Sequence, residues 1–259
     1  AIACVPIPFG TADDCLFEFG RLRAGETVLV QGGGGGVGLA AIQLAKRAGA
    51  TVIATASNNE KLDRLRKYGV DHGINYSNQD LVRETKMLTK GRGADVIVDP
   101  VGGTTLQQSI LALAYRGRVA MVGRAGRELV KHDVSTLMQG NQCLVGVFLG
   151  AEMATDRVHD MIQRHVDDVA AGKLAVVIDR AFPLRDAAAA HAHIEVTVDG
   201  DVAHCRVGNR CELRSDDGAP MVWLECDLIA PGSTVRITHR RPMESIVGAP
   251  VTAPDGTEL

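Results

Sequence analysis

Between an apolar stretch and a helical one, residues Gly32 to Gly38 read Gly-Gly-Gly-Gly-Gly-Val-Gly, and nothing else in the chain restricts its fold so tightly. A run of this kind has no side chains to bury. It is kept where backbone must turn sharply or approach something closely. Val28-Leu29-Val30 before it is short and wholly apolar, as expected of a strand buried on both faces. Val37 to Ala48 after it carries Leu39, Ile42, Leu44 and Ala45 at helical spacing, and Gly49 is placed to stop that helix.

The same alternation continues downstream. Strands are expected at Thr51–Thr55, Ile74–Tyr76, Val96–Val98, Arg118–Val122 and Gln142–Leu149. Helices are expected from the Ser57 or Asn58 cap to Gly69, and over 79–89, 104–115 and 155–171. Val176–Ile178 is strand-like, and Leu184–Ile194 reads as an Ala-rich helix. Before the glycine run, two apolar pieces flank Phe9-Gly10-Thr11, the second helical from Ala12 to Phe19 with Thr11 or Asp13 as its cap. Strands alternating with helices imply an α/β fold, a doubly wound Rossmann-type parallel sheet. After Glu195 the texture becomes short β-like runs, such as Met221–Leu228 and Thr234–Thr238, broken by Gly, Pro and Asp. A smaller β-rich C-terminal segment is expected there. The reading divides the chain into a linker or remnant (1–24), a dinucleotide-binding domain (25–150), further helices and a return strand (151–195) and a β-rich tail (196–259).

The glycines match the pattern G-x-G-x-x-G in the strand-to-helix context that gives it meaning. Gly33 is expected to make the tight turn. Gly35 would let the backbone approach a pyrophosphate, and Gly38 would let helix and strand pack closely. Free N–H groups around Gly36, Val37 and Gly38 would then face phosphate with the helix dipole behind them. An NAD-selective site places an acid about 20 residues on, to hold the ribose 2′-hydroxyl. Here Ala54-Thr55-Ala56-Ser57 carries none, and the first carboxylate is Glu60. Ser57 can donate a hydrogen bond and Lys61 can supply charge, so NADPH is the expected cofactor.

In 259 residues, 46% are hydrophobic, enough for one sizeable core with material left for a second small one. A net charge of −3 gives no electrostatic reason to expect nucleic acid or an anionic membrane as a partner. No apolar run reaches spanning length, and no secretory signal opens the chain. It begins on Ala1 rather than Met, as a fragment would. Six scattered cysteines read as reduced thiols of a cytoplasmic protein. Cys205, Cys211 and Cys226 beside His204 lack paired ligand spacing, so no metal site is expected.

Ala24 to Gln31, the glycine loop and Leu39 to Lys46 together resemble medium-chain dehydrogenases/reductases, in the zinc-independent quinone oxidoreductase branch. The resemblance runs through Gly73–Tyr76, Asp99–Gly103 and Gly117–Gly123 to Phe182–Leu184 and Ala190–Glu195. It implies that Ser57, Lys61 and Tyr76 surround the 2′-phosphate. It puts Gly123 and the Phe148–Gly150 segment beside the nicotinamide, with Thr11 near it. Read without the family, Tyr76 would cover a sheet edge and Phe148 would be plain core. The implied reaction is hydride transfer from NADPH to a quinone or α,β-unsaturated carbonyl, a small-molecule acceptor. No acid or base is named as catalytic. The resemblance also implies an N-terminal catalytic domain ahead of residue 1. A homodimer is expected as well. The alternatives are a cofactor-binding fragment without catalysis, or the zinc-type alcohol dehydrogenase branch, with the tail as an interaction module.

Overall fold

The computed structural model describes residues 4–126, 128–178, 183, 213–214 and 220–221. The chain divides into two units, Ala1–Ile178 and Asp179–Leu259. In the first, six strands form one parallel sheet in the order β3-β2-β1-β4-β5-β6. They are β1 (Thr27–Val30), β2 (Thr51–Ala56), β3 (His72–Asn75), β4 (Ala94–Asp99), β5 (Leu113–Met121) and β6 (Cys143–Gly146). The helices are α1 (Pro6–Asp13), α2 (Gly36–Arg47), α3 (Asn59–Arg66), α4 (Leu81–Leu88), α5 (Gly103–Leu111), α6 (Thr136–Gln139) and α7 (Asp156–Ala170). This is the expected doubly wound Rossmann-type sheet, whose strand order reverses between β1 and β4.

Alternate strand residues feed two cores, because successive side chains leave opposite faces of a strand. Val28, Val30, Val52, Val96 and Val98 point to one face and pack with Ala41 and Ile42 of α2 and Phe9 of α1. Leu29, Ile53, Ile97 and Val119 point to the other, against Leu81 of α4 and Leu106 and Ile110 of α5. Fully burying one such aliphatic side chain stabilises by about 1.5–3 kcal/mol. Polar caps fix where helices begin. Asn58 accepts from the Lys61 N–H at 2.9 Å, Asp80 from the Arg83 N–H at 2.7 Å, and Thr155 from the Val158 N–H at 3.3 Å. Asn58 therefore serves as the cap of α3. Gly49 takes a left-handed φ of +79° just past α2, which terminates it as expected.

Four local expectations change. The N-terminal pieces are not separated at Gly10: α1 runs through it and continues into a π-helical turn over Asp14–Glu18. Thr11 and Asp13 therefore cap nothing, since α1 starts with Pro6 after Val5. Gly10 is small because a Cβ there would lie 2.9 Å from Leu149. Helix α5 stops at Leu111 rather than 115, because Leu113 leaves it to pair with Ala94 of β4. Strand β6 is shorter than expected and is followed by a single 3-10 turn at Leu149–Ala151. Residues 176–178 form no strand. At Ala175 the backbone bonds to the Gln43 side chain of α2 instead, through 2.7 Å and 3.0 Å contacts.

In the second unit the described residues include a two-stranded antiparallel pair, β7 (Leu213–Arg214) with β8 (Pro220–Met221). The expected helix 184–194, strand 234–238 and the cysteines 205, 211 and 226 lie outside the described residues. No described helix is long and apolar enough to cross a membrane.

Arg118 of β5 ties the segment before β1 to the sheet. Its guanidinium donates to Gly20 O, to Arg21 O and to both Glu26 carboxylate oxygens, at 2.7–3.0 Å. Burial pulls the Glu26 carboxyl up, but bonds from Arg118 and Arg23 and the Arg118 charge outweigh it and hold it below its ordinary 4.5. A lowered folded-state value means this stabilisation is present above the unfolded value and lost as pH falls through the folded one. Arg118→Met should therefore cost about 2 kcal/mol at neutral pH. The gap from wild type should narrow as pH drops below about 4, read by urea unfolding across pH.

Candidate dinucleotide-binding site

The C-terminal ends of β1, β2 and β4 meet at the switch in strand order, where open α/β sheets bind ligands. The loop after β1 is pinned to the end of β2. Gly32 N–H donates to Thr55 Oγ1 at 3.0 Å, and Gly33 N–H to Thr55 O at 2.9 Å. The loop then folds on itself, Gly35 N–H donating to Gly32 O at 2.9 Å.

The glycines of the run differ in what they do. The left-handed backbone falls on Gly32, with φ +59°, and not on Gly33 as the motif suggested. Gly33 is buried, and a Cβ on it would crowd Leu65, Ala54 and Ile42 at 3.0–3.2 Å. A Cβ on Gly38 would lie 2.4 Å from Gly32 O, so close helix–loop packing rests there as expected. Gly34, Gly35 and Gly36 are exposed and leave the backbone open on the outer side. Among the described residues no backbone carbonyl accepts from the N–H groups of Gly36, Val37 or Gly38; the first such bond is Leu39 N–H to Gly35 O. Three donors at the head of a twelve-residue helix are thus left without a backbone acceptor where the macrodipole is positive.

Beneath the loop lies a buried polar chain that pattern reading did not find. Thr55 Oγ1 donates to Gln31 Oε1 at 3.0 Å, Gln31 Nε2 to Ser109 Oγ at 3.0 Å, and Ser109 Oγ to Asp99 Oδ2 at 2.8 Å. Asp99 Oδ1 accepts from the N–H groups of Val101 and Gly102, each at 2.9 Å. Burial pushes the Asp99 carboxyl up from its ordinary 3.8, against the hydrogen bonds from Gly102, Ser109 and Val101. A polar residue at the end of each wholly apolar strand, Gln31 after VLV and Asp99 after VIV, was the available signal.

Ser57, Lys61 and Tyr76 come to one corner, at the ends of β2 and β3 and the first turn of α3. Tyr76 N–H donates to Ala56 O, Ser77 Oγ to Ser57 O, and Asn75 Nδ2 to Asn59 Oδ1, so the three segments adjoin. Glu60 pairs with Arg64 and Asp63 with Arg66. Among the described residues Lys61 has no ion-pair partner. Tyr76 is 43% exposed.

Across the switch, the ends of β5 and β6 line an open cleft of about 280 Å³ that includes Gly123, Arg124 and Phe148. Gly123 has no room for a side chain, since a Cβ would lie 2.7 Å from Pro100 O. Phe148 is 76% exposed and so is not core; its ring covers Gly150, whose Cβ would meet it at 2.7 Å. Glu128 accepts from the N–H and Oγ1 of Thr104, both at 2.9 Å, and so ties the loop after β5 to the head of α5. Thr11 is buried on α1, one turn past Pro8, whose ring lies 3.5 Å from a Cβ placed on Gly36.

The family described as zinc-binding dehydrogenase matches residues 36–165. The chain belongs to this family. Its similarities lie with the zinc-independent, quinone oxidoreductase-like branch of the medium-chain dehydrogenases/reductases. It is 34% identical over 187 residues to a 2-haloacrylate reductase of a Burkholderia species, covering 71% of this chain and 56% of that protein. A quinone oxidoreductase structure from Pseudomonas syringae pv. tomato DC3000 superposes with a TM-score of 0.67 at 30% identity, over 73% of this chain and 58% of that one. The Escherichia coli quinone oxidoreductase complexed with NADPH does so with 0.63 at 27% identity, over 68% and 55%. The chain thus spans a little over half the length of these relatives. Among the described residues, no three His, Cys, Asp or Glu side chains group so as to hold a metal ion.

The glycines make a paired prediction. Gly38→Ala must displace loop backbone and should destabilise by about 2 kcal/mol. Gly34→Ala has nothing within 4 Å of the new methyl and should stay within about 0.5 kcal/mol of wild type. Thermal unfolding of the two variants checks both.

Proposed function

We propose that this chain binds NADPH across the C-terminal edge of its sheet and belongs to a reductase of the quinone or enone type. The observation that carries the reading is the set of N–H donors without a backbone acceptor on Gly36, Val37 and Gly38, beside a β2 end, Ala54–Ser57, that carries no acid. There Lys61 stands without an ion pair among the described residues. The loop donors would take the pyrophosphate. Ser57, Lys61 and Tyr76 would take the 2′-phosphate. Gly123, Phe148 and Gly150, with Thr11 across from them, would border the nicotinamide.

When bound, NADPH supplies a hydride to an electron-poor acceptor, which is thereby reduced by two electrons. The residues of this chain bind and orient. Gly123 keeps the floor of the cleft flat, and the exposed Phe148 ring bounds it. Selection of the acceptor falls to the part of the relatives that this chain does not span. The second reading follows from the same length: a cofactor-binding module that turns over only with a catalytic domain supplied.

Titration with both cofactors tests the proposal. NADPH should bind at least tenfold more tightly than NADH, and Lys61→Ala should reduce that preference by about tenfold, the loss of one charge-assisted contact. Equal or tighter NADH binding would overturn the NADPH assignment. Turnover of quinones and enones separates the two readings.

We also propose a homodimer formed along β6. This strand pairs with β5 on one side, and its other edge has no partner among the described residues. Leu129 and Met138, in the segment leading into it, are 88% and 79% exposed. Light scattering should give twice the 27.4 kDa chain mass; a monomer would contradict it. The cytoplasm is the proposed compartment, in keeping with the unpaired Cys15 and Cys143.

A further inference from the structure

We infer that Gln31, Thr55 and Ser109, aligned on the Asp99 carboxylate, are positioning residues for the pyrophosphate of the cofactor. They act through the Gly32 peptide and fix the contour of the glycine loop. This rests on the dinucleotide reading of the site.

The chain of bonds can run in only one direction. At one end the Gly32 N–H can only donate, and at the other the Asp99 carboxylate can only accept. Between them, Thr55 Oγ1 accepts from Gly32 and donates to Gln31, while Ser109 Oγ accepts from Gln31 and donates to Asp99. Turning the Gln31 amide over would aim two donors at the Thr55 hydroxyl and leave its own proton without an acceptor. It would also ask the single Ser109 proton to serve two acceptors. The two ends therefore dictate the orientation of every group between them.

Burial makes the arrangement consequential. Gln31 and Thr55 are 1% exposed, and Ser109 and Asp99 are fully buried. In such surroundings an unpaired polar group is expensive, whereas a complete network selects one conformation. Packing does not explain the choice of residues, because these positions adjoin apolar cores that aliphatic side chains would fill. The carboxyl of Asp99 is kept there even though burial works against its ionised form. A polar chain retained at that cost specifies geometry rather than maximising stability.

What it specifies is visible at its two ends. One end holds Gly32, whose left-handed turn leads into the helix start where the N–H groups of Gly36, Val37 and Gly38 have no backbone acceptor. The other holds Val101 and Gly102 through Asp99 Oδ1. That loop abuts the far side of the site: Val122 N–H donates to Asp99 O at 2.9 Å, and Ala125 N–H to Pro100 O at 3.1 Å. One buried chain therefore spaces the pyrophosphate loop against the segment that carries Gly123.

The test compares Thr55→Val, which keeps shape and loses the hydroxyl, with Thr55→Ser, which keeps the hydroxyl. Cofactor affinity is measured on the whole chain by titration with NADPH and with NADH. Thr55→Val should weaken both by the same factor, about tenfold, leaving their ratio unchanged, and Thr55→Ser should bind as wild type. A purely structural role would lower the melting temperature of Thr55→Val but leave the affinity of the folded protein unchanged. That result overturns the inference, as does a change confined to NADPH. If Thr55→Val does not fold, Ser109→Ala breaks the same chain farther from the loop. It should weaken both cofactors about threefold, and unchanged affinity overturns the inference. Wild-type protein that binds neither cofactor would instead refute the dinucleotide reading itself, an outcome distinct from unchanged affinity in the variants.

Discussion

The hydrogen bond from Gly32 N–H to the Thr55 hydroxyl is the contact on which the rest of this unit turns. It joins β1 to β2 just where a parallel sheet runs out of ladder bonds, and it turns the chain from strand into helix. The Gly32–Gly36 run has no side chains to define its path, so this contact acts with the backbone bond from Gly33 N–H to Thr55 O to tie the loop to β2, and glycine loses the most conformational freedom on ordering. With it the loop closes, α2 begins after Gly35, and the helix lies flat enough for Gly38 to touch the loop backbone. The hydroxyl can serve only because Gln31 accepts its proton, and Gln31 is held by Ser109 and Asp99. Three strands and α5 thus converge on one amide hydrogen.

Much of the fold was legible in the sequence because its signals are local. Wholly apolar triplets marked β1 and β4, Asn58 marked a helix start, and Gly49 marked a helix end. What misled was also local, for a glycine has two uses. Gly10 resembled a break but is a contact with Leu149, and the turn assigned to Gly33 belongs to Gly32 while Gly33 serves packing. The start of β5 at Leu113 depends on a partner strand that no window of sequence contains. Nor does any window contain the Gln31–Ser109 bond, whose ends are 78 residues apart.

The site was legible to a similar depth. The missing acid at 54–57 and the glycine loop could be read directly, since both are properties of contiguous residues. The state of Lys61 could not be, because it depends on Glu60 and Asp63 being engaged by Arg64 and Arg66. The pairing of Gly123 with Phe148 across one cleft needed the fold, and so did the exposure of the Phe148 ring. Membership of the zinc-binding dehydrogenase family explains why these features occur together, while the span of the chain, a little over half of its relatives, leaves chemistry at the acceptor as a proposal.

The central claim is that the glycine loop and the Ser57–Lys61 corner act as one cofactor site. Amide hydrogen exchange with and without NADPH tests it most directly. The account predicts slower exchange in two separate stretches, residues 34–39 and residues 57–61. Binding of NADPH with protection elsewhere, or in neither stretch, would contradict it.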